Sequence, residues 1–271
     1  MIKSNIKNII IFLLIVFIIV LFVLIHLSDK QNIYVQKHLN SIHSNKKLLH
    51  KEYKSLINEE IKVKYENNII VIEDFLNPEF YNFLKNQFND KTFKPINTLL
   101  RKASGYDFFK MHELNEYFGF LELYYTNELI DIVSDVIKKP VQRTPLSDSN
   151  SCSLLIYSNK GDYINWHKDH SRYHGDRYVV LLTIINENSS HTSLSENEFH
   201  YMFNDNEYKL RMKPNTLTIF KGSEIMHKST SIEENEKRIL LSMTFCDICE
   251  EKKNLVYFVY EKLKSMVLYK S

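Results

Sequence analysis

Residues 153–185 read SLLIYSNKGDYINWHKDHSRYHGDRYVVLLTII. Two apolar runs, Ser153 to Tyr157 and Tyr178 to Ile185, flank a polar turn in which His167 and Asp169 stand two residues apart. Short apolar runs bounded by polar turn residues predict β-strands. Residues i and i+2 of a strand share a face, so the imidazole and the carboxylate can reach one point. The pattern continues downstream at Phe199 to Phe203, Glu207 to Met212, Thr216 to Phe220 and Ile239 to Phe245. Six strands with polar connections predict a jelly roll, mainly β with flanking α-helices. Asn204-Asp205-Asn206 and Lys213-Pro214-Asn215 supply two of its turns. Asparagine tolerates left-handed backbone, so a chain with only five glycines can still turn often.

A third donor to the His167–Asp169 pair follows the strand Thr216 to Phe220, where a turn containing Gly222 leads to His227. Two histidines and one carboxylate leave three positions of a metal open, the arrangement non-haem iron(II) oxygenases use for a bidentate co-substrate and dioxygen. Eleven residues beyond His227, Arg238 opens the last strand and shares a face with Leu240 and Ser242. A guanidinium there offers a two-pronged clamp for a carboxylate.

Taken together, Tyr157, Gly161, His167, Asp169, His227 and Arg238 match in order and spacing the pattern of the 2-oxoglutarate and iron(II) dependent dioxygenases. The stretch from about Val71 to Phe245 resembles their prolyl 4-hydroxylase-like branch. The resemblance implies a double-stranded β-helix, with iron held by His167, Asp169 and His227. It further implies that the distal carboxylate of 2-oxoglutarate is paired with Arg238 and hydrogen-bonded by Tyr157, with Thr183 as another co-substrate-contacting position. Iron(II), 2-oxoglutarate, dioxygen and ascorbate are the implied cofactors, and hydroxylation of a protein or peptide side chain, proline first, is the implied reaction. The chain departs from the family in Asn186 to Asn197, polar and without glycine where a Gly-rich stretch is common, so a non-protein substrate stays open. The related nucleic-acid demethylases carry a second arginine six residues after the first, where this chain has Thr244. A catalytically silent anchored binding module is the alternative from another class.

Upstream, Ile9 to Leu27 reads IIIFLLIVFIIVLFVLIHL, and about 20 apolar residues span a bilayer as a helix. No small-residue cleavage site follows, which favours a single-pass anchor over a signal peptide. The short tail 1–8 is expected on the cytosolic side, which places the remainder in a lumen. Asn188-Ser189-Ser190 is a glycosylation acceptor pattern compatible with that side. Residues 28–66 are polar with Ile42, Leu49 and Leu56 at intervals of seven, which predicts a stalk helix or short coiled coil. The catalytic domain then runs 67–250, opening on a strand at Ile69 to Ile72. A helix follows it, capped by Asn77 with Pro78 at its first position, and another covers Glu122 to Lys138, before Pro140. The regular β portion is expected after that, and a C-terminal helix over 251–271 packs on the sheet.

The balance of 35 basic and 33 acidic side chains supplies no field for nucleic acid, so none is expected as a partner. Cys246 and Cys249 lack a second pair for zinc and read as two ordinary thiols at a strand end, with a local disulfide as the other reading. His170 and His174 could ligate zinc only on a helix, and Gly175 favours a loop instead. Trp166 is expected to point away from the ligands into the core, and Tyr163 and Arg172 to face either substrate or solvent.

Overall fold

Nothing between Leu27 and Tyr53 breaks a helix, since that stretch holds neither proline nor glycine, and the N-terminal apolar helix therefore continues far past its span. In the computed structural model, which describes residues 2–252 apart from 90, 91, 94, 99, 115, 189 and 191, together with 259 and 263, α1 covers Ile2–Tyr53. It is long and apolar enough to cross a membrane. Its C-terminal half is not a free stalk. Val35, Ile42 and Leu49, with Leu56 just beyond the helix, are at most 1% exposed and belong to the main core. The helix packs against α3 (Phe108–Leu114) and α4 (Phe120–Tyr124) of the same chain. The physical reason is that apolar residues at sevens keep to one helix face, and any apolar surface can cover that face, a neighbouring helix of the same fold as well as a second chain.

Polar bonds fix the register of this docking. Asn45 Nδ2 donates to Glu122 Oε1 at 2.8 Å, and Lys46 Nζ donates to the Tyr125 carbonyl at 2.7 Å. His38 and His112 face each other through their Nδ1 atoms at 2.9 Å. Burial, and after it the neighbouring His38, push the His112 imidazole down to about 3, so it stays neutral.

Beyond α1 the chain forms β1 (Lys62–Glu66), β2 (Ile69–Glu73), α2 (Pro78–Asn86), β3 (Pro95–Asn97) and β4 (Arg101–Tyr106), ahead of α3 and α4. α5 (Asn127–Ile137) and β5 (Gln142–Arg143) lead into β6 (Cys152–Tyr157), β7 (Tyr163–His167), β8 (Arg177–Glu187), β9 (Phe199–Phe203) and β10 (Asn206–Leu210). β11 (Thr216–Lys221), β12 (His227–Ser229) and β13 (Lys237–Cys246) complete the described strands. They pair antiparallel in one curled sheet of order β1-β2-β11-β8-β13-β6-β4-β7-β12-β9-β10, with β3 beside β4 and β5 beside β13. The architecture is the expected mainly β jelly roll with helices against it, and β2 is the strand expected at Ile69 to Ile72, but β1, β3 and β4 are also recruited from before Pro140, ahead of the expected start of the β portion. β1 and β4 hold five and six residues rich in charged or small side chains, too few to show a clear period.

β4 joins the two halves of the curl: Ser104 to Tyr106 pair with β6, while Arg101 and Lys102 pair with β7. The crossing needs Gly105, at φ 151°, because a Cβ there would lie 2.1 Å from the Leu154 carbonyl oxygen. Asn77 caps α2 through its side-chain oxygen, which accepts from the Glu79 and Phe80 amides. The helix expected over Glu122 to Lys138 is two helices, because Thr126 takes a non-helical conformation and caps α5. Asn204 and Asp205 take positive φ in the two-residue turn between β9 and β10. Asn215, also at positive φ, bonds both backbone groups of Leu76 and ties the entry segment to β11.

Cys246 and Cys249 are joined in a disulfide, which corrects the reading of two separate thiols. The chain turns back at Asp247, whose Oδ1 accepts from the amides of Ile248 and Asp176, each at 2.7 Å, and this turn brings Cys249 alongside. The Lys252 amide donates to the Arg172 carbonyl at 2.8 Å and the His174 amide to the Glu250 carbonyl at 2.9 Å, which sets Glu251 opposite Tyr173 in extended backbone. The rest of the expected C-terminal helix, apart from Val259 and Leu263, lies outside the described residues, as does Ser189 of the acceptor triplet.

Candidate metal centre

β7 and β12 run side by side with His167 opposite His227, so the two imidazoles meet with ring centroids 4.2 Å apart. β7 ends at His167, and Asp169 lies just past it, where its amide donates to the Gly222 carbonyl at 2.9 Å. Asp169 Oδ1 is 3.8 Å from His167 Nε2, and Oδ2 is 3.9 Å from His227 Nε2. The three ligand atoms lie within 4.8 Å of one another and could hold a metal ion.

The backbone prepares both histidines for that task. His167 Nδ1 lies 2.8 Å from the Asn165 carbonyl, and His227 Nδ1 lies 3.0 Å from that of Ile225. A carbonyl only accepts, so each Nδ1 carries the proton and each Nε2 keeps its lone pair toward Asp169. Burial lowers the His227 pKa, Asp169 opposes that shift and His167 adds to it. A neutral imidazole is the form that binds metal.

Gly222 sets the carboxylate. Its Cα packs so close that a Cβ would meet Asp169 Cβ and Oδ2 at 2.8 Å, and Val179 Cγ2 at the same distance. Gly222→Ala is expected to push the Asp169 carboxylate aside and weaken metal binding by about 10–100-fold, the range for a residue that orients a ligand. Equilibrium dialysis against iron(II) checks this, and unchanged affinity in a folded variant would remove Gly222 from the role.

The triad opens on a cavity of about 310 Å³. At one end Arg238 and Tyr157 pair across β13 and β6, with the guanidinium carbon 5.4 Å from the phenol ring centre. Arg238 is 1% exposed. It donates to Ser229 Oγ and, at 3.1 Å, to Met212 Sδ, while its Nε has no partner. No carboxylate pairs with it among the described residues, and burial draws its pKa down from the ordinary value. A buried guanidinium without a counter-charge costs several kcal/mol, which an anionic ligand would recover. As expected from their spacing, Leu240 and Ser242 line the same cavity.

Thr183 does not line the cavity; it lies one step past Leu181 on the same face of β8, fully buried, with an unpartnered Oγ1. Thr216 and Thr218 on the adjoining β11 are buried with unpartnered hydroxyls too. Orphaned donors on this inner face, with one unpaired guanidinium, fit a ligand rich in carboxylate oxygens. Ser229 was missed from the sequence, although its place two residues after His227 puts it on the ligand's face of β12.

His170 and His174 sit in irregular backbone, which suits a loop and no helical zinc pair. Arg172 is occupied by Ser147 and Glu251, and neither it nor Tyr163 lines the cavity. Trp166 points away from the ligands but not into the core. It is half-buried on the outer face, with Lys228 Nζ 4.5 Å from its ring centre and His200 beside it.

No family model matches the chain, and no curated protein matches it in sequence. In three dimensions it is similar to an oxidoreductase of the 2OG-Fe(II) oxygenase family from Burkholderia pseudomallei, with a TM-score of 0.52 at 9% identity, covering 70% of this chain and 90% of that one. A prolyl-4-hydroxylase from Pseudomonas putida gives a TM-score of 0.44 at 12% identity, covering 69% and 94%. A prolyl hydroxylase from Trichoplax adhaerens, in complex with a hypoxia inducible factor peptide fragment, gives 0.43 at 13% identity, covering 76% and 92%. At such identities the likeness to the Burkholderia protein establishes the fold.

Proposed function

We propose that this protein is an iron(II) and 2-oxoglutarate dependent oxygenase, anchored in a membrane by α1, that hydroxylates a protein or peptide side chain, with proline the first candidate. The observation that carries the reading is Arg238, a buried cation with no carboxylate partner among the described residues, in the same cavity as the His167, Asp169 and His227 triad. The fold likeness supports it.

In this reading the Nε2 atoms of His167 and His227 and the Asp169 carboxylate hold the iron. Arg238 takes the distal carboxylate of 2-oxoglutarate, with Tyr157 beside it and the Thr183 hydroxyl further along the same face. When bound, iron(II) would activate dioxygen, one oxygen atom oxidising 2-oxoglutarate to succinate and carbon dioxide and the other being inserted into the substrate C–H bond. Phe199 and Phe220, whose ring centroids lie 5.5 and 4.8 Å from that of His227, keep water from that ligand's flank. The disulfide supports a domain facing an oxidising compartment, since cytosolic thiols are kept reduced.

The test is anaerobic titration of the full chain in detergent with iron(II) and 2-oxoglutarate, reading the weak visible charge-transfer band of the chelate. Wild-type protein is expected to give the band. Arg238→Met is expected to need about 30-fold more 2-oxoglutarate or worse, because losing one partner of a buried charge pair costs about 2–5 kcal/mol. Well-folded wild-type protein without a band would leave only a binding module on this fold.

A further inference from the structure

The Arg238 guanidinium is gripped from behind by residues that do not reach the cavity. Its Nη1 donates to Ser229 Oγ, and its Nη2 donates to Met212 Sδ at 3.1 Å. Ser229 Oγ in turn donates to Asn197 Oδ1 at 3.1 Å, and Asn197 Nδ2 donates to the Thr230 carbonyl. Met212 is held as well, because Asn186 Nδ2 donates to its carbonyl at 2.8 Å. Asn186, Asn197 and Met212 are at most 2% exposed and lie outside the cavity lining, whereas Ser229 and Arg238 belong to it.

The chemistry of the groups fixes the direction of every proton in this chain of bonds. A backbone carbonyl only accepts, so the Asn197 amide nitrogen faces Thr230 and its oxygen is left for Ser229. A guanidinium only donates, so Ser229 offers Arg238 a lone pair and gives its single hydrogen to Asn197. Ser229 therefore has no proton for a ligand carboxylate, and its role is to aim Arg238. Asn197 is fixed from its other side too. Its backbone amide donates to Ser195 Oγ at 2.9 Å, and Ser195 Oγ donates to Glu236 Oε2 at 3.0 Å. The buried Glu236 carboxylate also accepts from the Glu196 and Glu233 amides, which joins the segment around Asn197 to the turn that leads into β13.

We propose that Asn197 and Asn186 are positioning residues that hold the Arg238 fork in one orientation, and so make the site selective for a 2-oxo acid with a distal carboxylate. This rests on the oxygenase reading for the identity of the ligand. A two-pronged pair with a carboxylate needs both N–H groups aligned at once, and a guanidinium that can turn loses that alignment. Neither asparagine lines the cavity, so the chelating end of the 2-oxo acid is independent of both.

The experiment titrates the full chain in detergent, anaerobically with iron(II), against 2-oxoglutarate and against 2-oxopentanoate, which keeps the chelating end and the chain length but has no distal carboxylate. Dissociation constants are read from the charge-transfer band, and near-UV circular dichroism checks that each variant is folded. Asn197→Ala is expected to weaken 2-oxoglutarate about 10-fold, the order of one buried hydrogen bond broken, and to leave 2-oxopentanoate within about 2-fold of wild type. Ser229→Ala should do the same, and the double variant should lose no more than the worse single one, because both changes break one chain of bonds. Asn186→Ala, acting through Met212, should show the same selective loss. Should Asn197→Ala fail to fold, Ser229→Ala and Asn186→Ala carry the comparison. Folded variants that bind 2-oxoglutarate as wild type does, or that lose both acids alike, would overturn the inference, as would additive losses in the double variant. Those results leave the wild-type band in place, whereas a wild type that gives no band would overturn the oxygenase reading and this inference with it.

Discussion

Asp169→Ala protein is expected to lose iron(II) binding by more than about 100-fold while keeping its fold, since even a residue that only orients a ligand is worth about 10–100-fold. Asp169 is the one carboxylate of the triad, and its two oxygens face the two imidazoles at 3.8 and 3.9 Å. Without it, two neutral nitrogens remain and no negative charge offsets a divalent ion. The fold should survive because Asp169 lies just outside β7 and its backbone bond to Gly222 is kept. Metal content after dialysis and the thermal midpoint of the metal-free protein make the comparison. Equal iron retention in the variant would overturn the assignment of the centre. A collapse of the metal-free fold would show that Asp169 serves structure first.

The second large effect concerns where the domain begins. A fragment starting at residue 67 removes Val35, Ile42, Leu49 and Leu56 from the core, each at most 1% exposed. At about 1.5–3 kcal/mol for each buried aliphatic side chain, the four amount to about 6–12 kcal/mol. A whole domain is stable by only about 5–15 kcal/mol, so the fragment should not fold cooperatively. It also uncovers His112, already neutral at ordinary pH, and Glu122 of α4, which loses its bond from Asn45. A fragment starting at residue 28 retains these groups and should unfold in one transition in urea. A single change in the full chain, Ile42→Asp, makes the same test by burying an unpaired carboxylate. Cooperative unfolding of the shorter fragment would show that α1 docks on a domain that is complete without it.

Much of the centre was legible because its parts are local. His167 and Asp169 needed only a strand and its period of two, and Arg238 with Leu240 and Ser242 needed the same. Ile9 to Leu27 needed only length and apolarity. The turn at Asn204 and Asp205 needed residues that accept left-handed backbone, and the cap at Asn77 needed an acceptor before a proline.

What lay beyond the sequence depended on partners distant in the chain. Spacing by sevens states that Ile42, Leu49 and Leu56 seek cover, but only the tertiary fold decides that the cover is the domain's own core, with α1 against α3 and α4. β4 and β12 hold six and three residues, too few to show a period, and each becomes a strand through the neighbours it bridges. The pairing of Cys246 with Cys249 depends on a turn that Asp247 builds against Asp176. Trp166 turned to the outer face because the period of two sends it away from His167, and what lies there is Lys228 and His200 rather than core. The sequence by itself determined the donor types, their face and the apolar span, all of which follow from local geometry. Only the tertiary structure decided that Arg238 is buried with no carboxylate partner among the described residues and that the C-terminal half of α1 is part of the core, because burial and charge balance are properties of chain segments brought together from far apart.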